Sequence, residues 1–202
     1  MSGEFPAVPT DALAAGGWRE RERRETRAFD AAVVTVDAAT VVFEDVALRD
    51  RLREATGLDR LWRFFVASRL TLSPATATSA ALTKLVANRA HAGFADTLGD
   101  RGFEGVRRTD DGAPDAGMAV ATLREDSRVA GYEALCRLDG VGVRARGWAA
   151  VRPVEGAYLL VGGAYPTALR EAPDDAVADA VADALAPDRF REELFALMRD
   201  TG

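Results

Sequence analysis

Residues 117–166 read GMAVATLREDSRVAGYEALCRLDGVGVRARGWAAVRPVEGAYLLVGGAYP. At period two the stretch divides into four strands, 118–125, 129–138, 141–152 and 157–164. The breaks between them are Asp126-Ser127-Arg128, Asp139-Gly140 and Pro153-Val154-Glu155-Gly156. Such residues close hairpins, because Gly, Asp and Pro supply the backbone angles that a reversal needs. An antiparallel meander with one apolar face is a framework on which helices pack.

Working outward, residues 61–72 alternate just as clearly. Trp62, Phe64, Val66, Leu70 and Leu72 fall on one face, and Leu61, Arg63, Phe65, Ala67, Arg69 and Thr71 on the other. A helix would scatter both sets, so a strand is predicted, ended by Ser73-Pro74. Residues 18–29 alternate in charge and suit an exposed edge strand, where charge discourages pairing with other chains; a short charged helix is the alternative. Residues 32–36 and 40–43 form β-branched clusters, predicted as a strand pair or one interrupted strand. A short strand is predicted over 103–108.

Helix signals lie between these runs. Asp45 caps VALRDRLREAT, with Leu48, Leu52 and Ala55 facing inward and Gly57 at the left-handed stop. Thr78 or Ser79 caps a second helix that ends at Gly102. Its stripe runs through Leu82, Leu85, Val86, Ala90, Gly93, Phe94, Thr97 and Leu98, with Gly93 expected to pack closely on the sheet. Val177, Val181 and Leu185 mark a third, and Pro187 opens a fourth with Phe190, Leu194, Leu197 and Met198 inward. The fold predicted is α+β: a mostly antiparallel sheet of about seven or eight strands with helices packed on it, α/β/α-sandwich-like. The helices around 46–56 and 79–101 are expected on one face, and the C-terminal pair on the other or at one end. Residues 1–17 read as a flexible lead-in and 18–202 as a single domain.

Composition narrows the function classes. A net charge of -6 and a pI near 5.0 argue against a protein that neutralises a nucleic-acid backbone. Lys84 is the only lysine, so arginine carries nearly all positive charge. That usage suits a high-GC genome or a salt-rich cytoplasm, and a halophilic archaeon is the expected source. The single cysteine, Cys136, permits no intrachain disulfide. The N-terminus has no signal-peptide pattern and no apolar run reaches membrane length, so a cytoplasmic protein is expected.

Few residues offer chemistry. His91 is the only histidine and has no companion ligands within its helix, so a structural role is expected and no metal. Cys136 lies on an otherwise apolar strand face and reads as core. Gly140, Gly142 and Gly147 lack dinucleotide-fingerprint spacing, and Gly162-Gly163 has no phosphate-loop Lys, so no cofactor is expected. Asp110/Asp111 and Asp174/Asp175 read as turn or capping residues.

One face stands apart. Arg144, Arg146, Trp148 and Arg152 alternate along one strand, Arg137 and Glu133 share a face of the strand before it, and Arg124 is placed to join them. Arginines that pair with nearby carboxylates on a solvated face would explain this. The functional alternative is a surface for a carboxylate, phosphate or partner, with guanidinium forks beside an exposed tryptophan. A third arrangement has a helix covering the face. A rival site would be a pocket lined by Trp62, Phe64, Tyr132 and Trp148.

The segment opening at Gly17-Trp18, LWRFFVASRLTLSP at 61–74, RGFEGV at 101–106, GWAAV at 147–151 and LLVGGAYP at 159–166 resemble a small haloarchaeal family without assigned function. The resemblance spans most of 17–170 and implies a shared fold and source, with no activity attached. The element order is also similar to the PsbP/Mog1-like sandwich, whose members are often binding or assembly factors. The expectation is a non-enzymatic binding or interaction module that takes an unknown protein or a small anionic ligand. A homodimer is compatible with it. A small-molecule carrier or enzyme with a pocket between sheet and helices is the alternative.

Overall fold

The computed structural model describes residues 4–31, 34–77, 79–109, 123 and 125–202. Seven strands form one antiparallel sheet among them: β1 (Trp18–Ala31), β2 (Val34–Asp45), β3 (Phe64–Ser73), β4 (Phe103–Thr109), β5 (Arg128–Leu138), β6 (Val141–Val154) and β7 (Ala157–Glu171). Their order across the sheet is β1-β2-β3-β7-β6-β5-β4. Two meanders, β1 to β3 and β4 to β7, therefore join through the β3–β7 pairing. The helices among the described residues are α1 (Thr10–Ala15), α2 (Val46–Thr56), α3 (Ala80–Asp100), α4 (Asp175–Ala184) and α5 (Pro187–Asp200). The expected α+β class and antiparallel sheet are both present.

Local signals explain most boundaries. The Asp45 carboxylate accepts from the Leu48 N–H at 2.8 Å and starts α2, and Gly57 ends it with φ 75°. Ser79 caps α3 through the Leu82 N–H at 3.2 Å. The described parts of the two β-branched clusters, 34–36 and 40–43, belong to one continuous strand, β2, which carries Ala38 and Ala39 through its middle. The charged run forms β1, an edge strand paired only with β2. The strand expected over 118–125 lies outside the described residues except Leu123 and Glu125, and neither of these is in a strand.

Helices cover both sides of the sheet. On one side α3 lays Phe94 against Phe64 and Tyr132, with ring centroids 6.4 and 5.1 Å apart. On the other, α5 buries Phe190, Leu194, Phe195, Leu197 and Met198. The two-sided cover is why Phe64 and Phe65, neighbours pointing to opposite faces of β3, are both buried. Each such side chain contributes about 1.5–3 kcal/mol when fully buried.

Several expectations need correction. α2 packs on α4, not beside α3, so the N-terminal helices do not share a face. The inward stripe of α2 is Leu48 and Leu52 alone, since Ala55 is exposed. In α3, Leu85 is exposed, and Gly93 faces open space instead of the sheet, with nothing within 4 Å of a Cβ built there. The stretch read as a lead-in carries structure of its own: α1 buries Leu13, and Ala7 pairs with Gly202 through N–H to O bonds of 3.1 and 2.9 Å.

A buried ion cluster links the layers. The Arg63 guanidinium, 2% exposed, donates to Asp45 at 2.8 Å and Glu193 at 3.0 Å and lies between the Trp18 and Phe190 rings. Glu193 also accepts from the Trp18 indole at 2.8 Å. This one cluster ties β1, the residue that leads into β3, the start of α2, and α5.

Candidate functional site

The sheet face beyond the N-terminal end of α5 is not filled. A groove of about 750 Å³ lies there, walled by β4, β5, β6 and β7 on one side and by Pro187, Asp188 and Arg191 on the other. Three of the five arginine-face residues, Arg144, Arg146 and Trp148, line it.

Strand alternation builds the site. Arg146 stands opposite Glu133 on β5 and opposite Tyr165 on β7, so the three sit in one row across the sheet. The Arg146 guanidinium donates to Glu133 at 3.0 Å, and Arg107 approaches the same carboxylate at 3.8 Å. Arg191 pairs with Asp188, one turn earlier on α5, at 3.1 Å. Arg144 is exposed, and its guanidinium makes no ion pair among the described residues. The groove thus holds four arginines, Arg107, Arg144, Arg146 and Arg191, against the three carboxylates Glu104, Glu133 and Asp188.

The floor corrects the expected exposed tryptophan. Trp148 is 4% exposed, because the Phe195 ring of α5 packs edge-on against it at 5.4 Å. Glycines make room for the indole. Trp148 pairs with Gly131 on one side and Gly163 on the other, and a Cβ on Gly131 would sit 3.0 Å from the indole ring. The indole N–H donates to the Tyr165 hydroxyl at 3.4 Å. Burial pushes the Tyr165 phenol above its ordinary value, so it stays protonated. Its own proton has no acceptor among the described residues, which leaves a buried donor at the groove.

The other two predicted residues lie elsewhere. Arg152 is buried, and its guanidinium donates to the Thr201 carbonyl at 2.6 Å, where it ties β6 to the end of α5. Arg137 is exposed outside the groove and bridges Glu104 at 3.2 Å and Glu171 at 3.5 Å. Arg124 lies outside the described residues, as do Asp110 and Asp111. Sequence reading missed Tyr165, Arg107, Arg191 and Asp188. Tyr165 was legible in principle as the aromatic residue two places after Gly163 and so on the same strand face; the α5 residues carried no local signal.

The rival aromatic pocket does not assemble. Phe64 and Tyr132 lie under α3, and Trp148 lies under α5. Trp62 lines a separate small cavity of about 20 Å³ with Phe103 and Cys136. Burial pushes the Cys136 thiol up, which makes it a poor nucleophile. His91 is buried, with Nε2 3.0 Å from the Arg128 carbonyl and Nδ1 3.2 Å from the Tyr132 hydroxyl, an arrangement that anchors α3 to β5. Among the described residues no group of three or more His, Cys, Asp and Glu side chains is placed to hold a metal ion. None of the described helices is long and apolar enough to cross a membrane.

A family model described as Domain of unknown function (DUF6517) matches residues 5–202. No curated protein and no solved structure matches the chain. With the match running over nearly the whole sequence, the chain belongs to this family.

Proposed function

We propose that the protein is a non-enzymatic binding module whose ligand is a small anion held in the groove at the N-terminal end of α5. The observation that carries this is Arg144, exposed and without an ion pair among the described residues, beside a groove floored by Trp148 and Tyr165. Buried or paired arginines do structural work elsewhere in the chain, as Arg63 and Arg152 do. A guanidinium fork over an aromatic floor is suited to a carboxylate or phosphate, and concavity favours a small molecule over a flat partner surface. Arg146 stands next in the row, oriented by Glu133. The acidic, arginine-rich composition suits work in a salt-rich cytoplasm, where screening keeps the groove selective for ligands that touch it.

Equilibrium dialysis of the protein against a small-molecule extract of its source cells tests this. The wild type is expected to retain one or more small anions that an Arg144→Ala/Arg146→Ala double variant does not. Identical retention by both proteins would remove the groove from consideration.

A further inference from the structure

We infer that the ligand of this groove is a monocarboxylic acid with an apolar body. The inference rests on the proposed reading of the groove as an anion site, and it comes from which guanidinium groups there already contact a carboxylate. Arg146 and Arg107 share Glu133, and Arg191 is engaged with Asp188. Glu104, at the β4 side, is held by Arg137 from outside the groove. That leaves the Arg144 fork as the guanidinium without a carboxylate among the described residues. Arg144 is thus the groove guanidinium that an incoming carboxylate would not have to share with Glu133 or Asp188.

A second negative charge would meet opposition. Three carboxylates, Glu104, Glu133 and Asp188, line the same groove, and each repels an added anion within a few ångströms. A dianionic phosphate would find as its second cation only guanidinium groups that Glu133 or Asp188 already contacts. A carboxylate needs only the planar fork of Arg144, whose two parallel N–H groups match its two oxygens. The Tyr165 hydroxyl, kept protonated by burial, lines the groove as a further donor.

The volume calls for more than the acid group. About 750 Å³ falls within the range of drug-sized ligand sites and far exceeds a carboxylate. Much of the remaining wall is apolar, with Trp148, Leu135, Ala168, Val106 and Pro187, and Thr167 adds a hydroxyl-bearing side chain. A hydrocarbon or aromatic body lies there, and a polar body would leave that surface poorly used.

Ligand-observed saturation-transfer NMR on the full chain at pH 8 tests the inference with three probes of similar size: 4-phenylbutyrate, phenyl phosphate and 4-phenylbutan-1-ol. The expected result is saturable binding of 4-phenylbutyrate, with the alcohol and the phosphate each at least about tenfold weaker. Arg144→Ala is expected to weaken the carboxylate about tenfold or more while leaving the folded spectrum intact, because the side chain is exposed. Phenyl phosphate binding as well as or better than the carboxylate would overturn the ligand class and leave the groove as an anion site. Equal binding of the alcohol, or a carboxylate affinity unchanged by Arg144→Ala, would overturn the role of Arg144. Failure of all three probes to bind at 10 mM would overturn the inference, while the dialysis comparison judges the groove independently.

Discussion

Arg146 and Glu133 stand directly opposite each other on β6 and β5, and their side chains close an ion pair of 3.0 Å across the groove wall. Two residues back on β6, Arg144 has no such partner among the described residues. The difference between these neighbours separates a structural arginine from a candidate ligand-binding one, and it makes the site testable apart from the fold.

Arg144→Ala is therefore expected to change stability by no more than about 0.5 kcal/mol, as for an exposed residue outside any network. Trp148→Ala, which empties space under Phe195, is expected to cost about 3–5 kcal/mol. Urea unfolding of both variants checks the contrast. A large loss in Arg144→Ala would show that this arginine is structural after all.

Arg63 is the opposite case. Removing it strands Asp45 and Glu193 in a buried cluster, so Arg63→Ala is expected to cost about 3–5 kcal/mol. Arg63→Met, which keeps packing between Trp18 and Phe190, also leaves the carboxylates unpaired and is expected to recover only part of that loss. Burial outweighs the Leu48 N–H and Arg63 in holding the Asp45 carboxyl above its ordinary value. Folding thus favours protonated Asp45. Its contribution is fully present below the unfolded pKa and lost as pH rises through the raised folded value. Asp45→Asn is expected to flatten that acid-side segment of a stability-versus-pH curve measured in urea.

Two glycines give opposite signs. A Cβ on Gly163 would run into the Phe64 carbonyl oxygen and sit 2.8 Å from Leu194 Cδ1, so Gly163→Ala is expected to disrupt the β3–β7 joint and destabilise strongly. Gly93 lies mid-helix with nothing within 4 Å, so Gly93→Ala is expected to stabilise by about 0.5–1 kcal/mol. Thermal unfolding of the pair distinguishes them.

Cys136 reports on the core. It is buried, and burial raises its thiol above the ordinary value, so native protein at pH 8 is expected to resist thiol reagents until it unfolds. The stability that the neutral thiol contributes is present below its unfolded pKa of about 8.5 and is lost as pH rises through the folded value. Cys136→Ala is expected to soften the alkaline fall in stability. Rapid labelling of native protein would show that the strand face is open.

Much of the fold was legible because its signals are local. Asp45 and Gly57 bracket α2, Ser79 opens α3, and the alternation of 61–72 marks β3, though the strand itself begins at Phe64. Periodicity states which residues share a face but not what covers that face. Trp148 looked exposed because its cover, Phe195, comes from a helix far along the chain. Arg152 looked like Arg144 for the same reason, until the end of α5 claimed it through Thr201. The groove itself arises where α5 stops short of the sheet. That depends on how α5 docks through Arg63, Glu193 and Leu194, and no local pattern encodes it.

Native mass spectrometry of the protein freshly purified from its own cells, before and after denaturation, tests the groove most directly. The expected result is an excess mass that disappears on denaturation and is absent from the Arg144→Ala/Arg146→Ala variant prepared identically. A bare mass for both proteins, or an excess mass that the variant keeps, would contradict a small-anion site in the groove.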